Sequence, residues 1–194
     1  CFDVRPEEFG ERKTAYFRRK INTNGGKVML TVCGAGIHYE IFMDDKSIGK
    51  SVLPYAKEEF IFDSGNAGEH TLMIVTDNFI SPEPGEQFKP FYDFYGYGGI
   101  YGDVYLTEFT PEDIRHIEVI PLSYETGTVK IHVEAFEKNP ETLAISFDGK
   151  DPEIIPFAEE FTYNVPDFKL WSAETPELHN VNINGKEATF GIRI

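Results

Sequence analysis

Basic residues, cysteine, tryptophan and long apolar runs are all scarce in this 194-residue chain. There are 18 lysines and arginines against 33 aspartates and glutamates, a formal net charge of −15. Nucleic-acid phosphates require a basic face, so a nucleic-acid partner is not expected. The same balance disfavours docking on anionic lipid. No apolar run is long enough to span a bilayer, so no membrane span is expected. The two cysteines, Cys1 and Cys33, are too few for a disulfide framework. Cys33 ends the apolar run "VMLTVC" and reads as a small buried hydrophobe. Cys1 fits either a lipid-attachment cysteine or a boundary at which a longer chain was cut, so bacterial cytoplasm and periplasm both stay open. The five histidines lie on different segments and no pair has metal-ligand spacing, so no metal is expected. No Gly-x-Ser-x-Gly stretch and no phosphate-cradling loop occurs, and no cofactor is expected.

Period-two alternation dominates instead. Strands are expected over Thr14–Ile21, Lys27–Cys33, Ile37–Met43, Glu59–Asp63 and His70–Thr76. In the third, Ile37, Tyr39, Ile41 and Met43 share one face, and "DDKSIG" then turns the chain. Residues 77–90 carry three prolines and read as a surface loop. Four further strands follow: Arg115–Leu122, Thr128–Phe136, Thr142–Phe147 and Glu160–Val165, and "EATFGIRI" closes the chain as another. Val129, Ile131, Val133 and Ala135 alternate with Lys130, His132 and Glu134, the pattern of a strand with one buried face. His38 and His132 fall on the polar phase, which predicts solvent exposure. Asp148-Gly149 and Asn184-Gly185 are hairpin signals, because both central positions need positive φ. A helix has one candidate, Thr110–Glu118, with Thr110 as cap and Pro111 at the first turn. The coarse reading is all-β, two successive sandwiches splitting near residue 108: residues 1–108 and 109–194.

Catalytic carboxylates of a glycosidase stand in pairs about 5–9.5 Å apart. No acid here lies in a motif that singles it out for such a pair, so no catalytic residue is assigned. Sugar binding asks less: a carboxylate or amide for hydroxyls, and rings for the flat C–H face. The segment "FYDFYGYGGIYGDVYL" supplies both, with Asp93 flanked by Phe91, Tyr92, Phe94, Tyr95 and Tyr97. On the residues alone a second reading stands beside it, in which the rings fill a core and Asp93 caps a turn. Trp171, the sole tryptophan, is expected to pack the core of the second unit.

Six stretches, in order, resemble the non-catalytic N-terminal part of family 2 glycoside hydrolases. They are "TAYFRRKI", "GIHYEIFMDDKSIGKS", "GEHTLMIVTDN", "YGGIYGDVYL", "LWSAETPELHNVNI" and "FGIRI". The resemblance covers nearly the whole chain. It implies a jelly-roll-like sugar-binding sandwich followed by an immunoglobulin-like β-sandwich, with the catalytic (β/α)₈ barrel outside these 194 residues. It implies a β-glycoside substrate of the β-galactosidase or β-glucuronidase type. It also implies that Asp93 takes the place of the acid that reaches substrate hydroxyls, with Phe94 and Tyr95 as its ring neighbours. One departure is plain: the family's arginine before Asp-Val is Gly102 here, which leaves Asp103 without its expected neighbour. A free-standing carbohydrate-binding module and a structural or adhesion sandwich remain the other readings, and association with further copies of the chain stays open.

Overall fold

A computed structural model describes residues 13–53, 55–78 and 98–193. The chain divides into two compact units, Cys1–Phe109 and Thr110–Ile194. All regular structure among the described residues is β, with no helix.

In the first unit the strands are β1 (Thr14–Thr23), β2 (Lys27–Val32), β3 (Ala35–Gly36), β4 (His38–Met43), β5 (Lys46–Ser51), β6 (Glu58–Asp63), β7 (Gly68–Asp77), β8 (Gly99–Ile100) and β9 (Val104–Glu108). They form an antiparallel sheet β1-β7-β4-β5, a facing sheet β6-β2-β9 and a short β3-β8 ribbon. Alternation decides which side chains meet. Tyr39 and Ile41 of β4 and Leu72 and Ile74 of β7 pack on Leu30 and Val32 of β2. Each sheet hides its apolar face on the other. The chain crosses between sheets after β1, β5 and β6, and by way of the short ribbon after β2 and β7, so local hairpins are few.

The second unit contains β10 (Ile114–Ser123), β11 (Thr128–Ala135), β12 (Thr142–Phe147), β13 (Glu153–Pro156), β14 (Glu160–Asn164), β15 (His179–Ile183) and β16 (Lys186–Phe190). The sheets are β10-β11-β14 and β13-β12-β15-β16. This is a seven-stranded immunoglobulin-like sandwich in which the fourth strand joins the third rather than lying beside β14. Val129, Ile131 and Val133 are fully buried against Leu143, Ile145, Val181 and Ile183.

Several expectations need correction. Residues 46–49, read as part of a turn, belong to β5, and the turn before it is only Asp44-Asp45. The Thr110–Glu118 helix does not form. Thr110 and Asp113 close one turn on each other, and Ile114 opens β10. The cap and first-turn residues that suggested a helix, Thr110 and Pro111, serve that single turn instead, and a β-bulge follows between Ile114 and His116. It turns Ile114 and Ile117 to the same buried side at a spacing of three. Strand β13 was missed because Pro152 precedes it and Pro156 ends it, a composition suited to the edge position it occupies.

Three turns share one device. Asp44, Asp148 and Asn184 all have positive φ, at 45°, 52° and 49°. In each, the backbone N–H donates to a carbonyl on a neighbouring strand, and the side-chain oxygen accepts that same residue's N–H. Asp44 pairs in this way with Thr71 at 3.0 and 2.7 Å. Asp148 pairs with Asn180 at 2.9 and 2.8 Å. Asn184 pairs with Ala144 at 3.1 and 2.7 Å. The side chain thus continues the sheet ladder where a left-handed backbone would end it. Short oxygen-bearing side chains meet both demands, since they tolerate positive φ and carry the acceptor. Asn184→Ala should lower unfolding stability by about 1–3 kcal/mol in urea titration, because it orphans the Ala144 amide and adds backbone strain. Asn184→Asp should cost clearly less, and equal losses would assign the effect to φ alone.

Candidate functional site

Asp93, Phe94 and Tyr95 lie outside the described residues, as do the other rings from Phe91 to Tyr97. What is described are the two stems between which that segment runs. The first is the end of β7. Asn78 is completely buried and its side-chain oxygen accepts the Lys13 N–H at 2.9 Å. Asp77 holds His38 Nδ1 at 2.9 Å, and its carbonyl accepts the Ile37 N–H. His38 is therefore half-buried against an acid rather than turned to water, and the same correction applies to His132, which sits 3.2 Å from Glu134.

The second stem is β8 and the turn after it. Ala35 pairs with Ile100 and Gly36 with Gly99. Tyr101 and Gly102 both donate their backbone N–H groups to the Gly34 carbonyl, at 3.1 and 3.0 Å. The Tyr101 hydroxyl donates to the Ala35 carbonyl at 3.0 Å and accepts the Tyr55 N–H at 2.8 Å. Its ring stacks on Tyr55 with centroids 5.2 Å apart. One tyrosine thus joins three segments, and burial pushes its phenol up from the ordinary value. Both rings keep part of their surface in water, 49% for Tyr55 and 37% for Tyr101.

Glycine is needed twice in this stem. A Cβ on Gly34 would stand 2.7 Å from the Tyr101 ring, and one on Gly102 would stand 2.7 Å from the Cys33 carbonyl carbon and the Gly34 nitrogen. The absence of arginine at 102 has a steric cause: the backbone there lies flat against Cys33-Gly34. Asp103 is not left alone, since the Tyr105 hydroxyl donates to it at 2.8 Å and its carbonyl accepts the Cys33 N–H. The carboxylate in turn raises the Tyr105 phenol. Cys33 itself is half-buried, not enclosed as its apolar run suggested, because it sits at the mouth of this turn.

Beyond this stem, Tyr39 donates to Glu58 at 2.6 Å, and burial followed by that carboxylate pushes its phenol well up. Trp171 in the second unit is half-buried rather than central. Its side chain lies across Gly191, and its backbone N–H donates to the Ile192 carbonyl at 2.7 Å. Among the described residues no three metal-capable side chains converge, and no helix is long and apolar enough to cross a membrane. The site as described offers half-exposed rings, fixed carbonyls and one tyrosine-bound carboxylate: groups that bind and orient.

No family model matches the chain, and no curated protein matches it by sequence. Solved structures do resemble it. A family 2 β-galacturonidase from Eisenbergiella tayi bound to galacturonate matches with a TM-score of 0.74 at 19% identity, over 99% of this chain and 38% of that one. A β-glucuronidase from Ruminococcus gnavus in complex with D-glucaro-d-lactam matches at 0.76 and 14% identity, over 98% and 38%. Bacteroides uniformis β-glucuronidase 3 matches at 0.69 and 20% identity, over 97% and 28%. The fold of this chain is the fold of part of these enzymes, and the chain spans less than two fifths of each.

Gly102→Ala should destabilise the chain by about 1–3 kcal/mol, the usual cost of forcing a methyl into a packed backbone contact. Urea midpoints measure it, and an unchanged midpoint would refute the steric account of the missing arginine.

Proposed function

We propose that this chain is the non-catalytic sugar-binding and immunoglobulin-like portion of a β-glycosidase belonging to glycoside hydrolase family 2. Its first unit is the jelly-roll-like sugar-binding sandwich. The catalytic barrel belongs to the same protein and lies outside these 194 residues. The observation that carries this reading is the asymmetry of the structural likeness: it runs over 97–99% of this chain but only 28–38% of three uronide-cleaving enzymes. The six sequence stretches in family order support it independently.

In this reading the chain frames the rim of an active site built elsewhere. Asp93 accepts hydrogen bonds from substrate hydroxyls, and Phe94 and Tyr95 cover the apolar side of the sugar. The substrate is a β-glycoside, and the uronide specificity of the neighbours favours the β-glucuronidase type over the β-galactosidase type. The doubly tied Tyr101 stem suits such a task, because a group that orients a sugar must be held by its surroundings.

The test uses the full-length protein. Asp93→Ala should lower kcat/KM on β-glucuronides about tenfold or more, since losing a hydrogen bond to a charged group costs about 1.5–3 kcal/mol. Unchanged kinetics with an intact fold would return Asp93 to the role of a turn residue.

A further inference from the structure

The Asp44 turn has a feature that the otherwise similar Asp148 turn lacks. In both, the other carboxylate oxygen receives a histidine ring nitrogen from the residue preceding the paired amide. His70 Nδ1 lies 2.6 Å from Asp44 and His179 Nδ1 lies 2.8 Å from Asp148. The second nitrogens differ. His179 Nε2 has the Lys169 N–H at 3.1 Å beside the Lys169 carbonyl at 3.0 Å, so a neutral ring can donate at Nδ1 and accept the amide at Nε2. His70 Nε2 faces only the Asn66 carbonyl, at 2.8 Å. Both of its ring nitrogens therefore point at groups that can only accept. A neutral imidazole has one N–H, so only the imidazolium makes both bonds.

Those bonds join different parts of the first unit. Asp44 belongs to the β4–β5 hairpin, and Asn66 to the turn that carries the chain from β6 in one sheet to β7 in the other. That second turn is in turn bound to the β1–β2 connection: Gly26 N–H donates to the Gly65 carbonyl at 3.1 Å and Ser64 N–H to the Gly26 carbonyl at 2.8 Å. We propose that His70 is a protonation-controlled pin that, as imidazolium, ties these turns into one pole of the unit and, on losing a proton, releases one of its two partners.

The charged residues nearest in sequence or register are Asp44 and Asp45 on the hairpin, Asp63 ahead of the second turn, Glu69 on the same strand, and Arg19 and Lys20 of β1, which pair with Leu72 and Thr71. Only Asp44 reaches the ring. Asp63 takes the Gly65 N–H at 2.8 Å, and Glu69 pairs with Lys20 at 2.6 Å on the opposite face of β7. In agreement with the geometry, the Asp44 hydrogen bond, then the Asn66 carbonyl, raise His70 above the 6.5 of a free histidine, and His70 holds Asp44 below 3.8. A raised histidine value means that its contribution is complete below 6.5 and is lost as pH climbs through the folded value. Asp44 contributes above 3.8 and loses that contribution as pH falls through its lowered value. The pin is closed between those limits.

Nitrogen-15 NMR of the histidine rings in the full chain tests this. His70 should show two protonated nitrogens at pH 6 and titrate with a midpoint above 6.5. In Asp44→Asn, whose asparagine tolerates positive φ and still accepts the Thr71 N–H, the midpoint should fall by about 1 unit or more. Exchange protection of the Gly26 and Ser64 amides, corrected for intrinsic rates, should drop across the wild-type midpoint and lose that pH dependence in His70→Gln. A neutral His70 ring at pH 6, an unmoved midpoint in Asp44→Asn, or protection indifferent to pH would each overturn the proposal.

Discussion

A strand with alternate apolar side chains cannot leave that face in water, and in both units this constraint decides the architecture. Leu30, Val32, Ile41 and Ile74 in the first unit, and Val129, Ile131, Leu143 and Val181 in the second, lie within their cores because their strands pair in registers that put them on one side. A slip of one residue would expose them all. What fixes the registers is the chemistry of the turns. The Asp44, Asp148 and Asn184 side chains extend the ladder past the strand ends, so turn and register are set together.

This also explains what the sequence made legible. The faces of β4 and β11 follow from alternation alone, and the two turns containing glycine follow from the need for positive φ. The Asp44-Asp45 turn was harder to delimit, because it reaches positive φ at both positions without glycine. Strand β10 was legible as Arg115–Leu122, but its bulged start between Ile114 and His116 also lay within the stretch offered as a helix. Strand β13 was hidden by prolines that an edge tolerates and an interior would not. In each case a local rule yielded to a pairing made with residues distant in the chain.

The candidate site was legible in kind rather than in detail. Alternating rings and glycines around an acid marked the segment ending at Leu106, and its described stem is built as glycines suggest. Gly34 and Gly102 permit backbone and ring contacts that a Cβ would prevent. No pattern announced that Tyr101 would bond Ala35 and Tyr55 together, since those partners stand 66 and 46 residues away. Gly102, where the resemblance leads one to expect arginine, looked like a weakness in it. Within the stem it is a consequence of close packing, with the Tyr105 hydroxyl supplying Asp103 with a partner.

The central claim is that this chain works as part of a larger β-glycosidase. The most direct measurement is the native size of the protein in its source cells, by immunoblot with serum raised against this chain, followed by β-glucuronidase assay of the gel slice at that size. The account predicts a band several times larger than 22.1 kDa that carries the activity. A band near 22.1 kDa without activity would contradict it and would leave a module that binds, or merely builds, on its own.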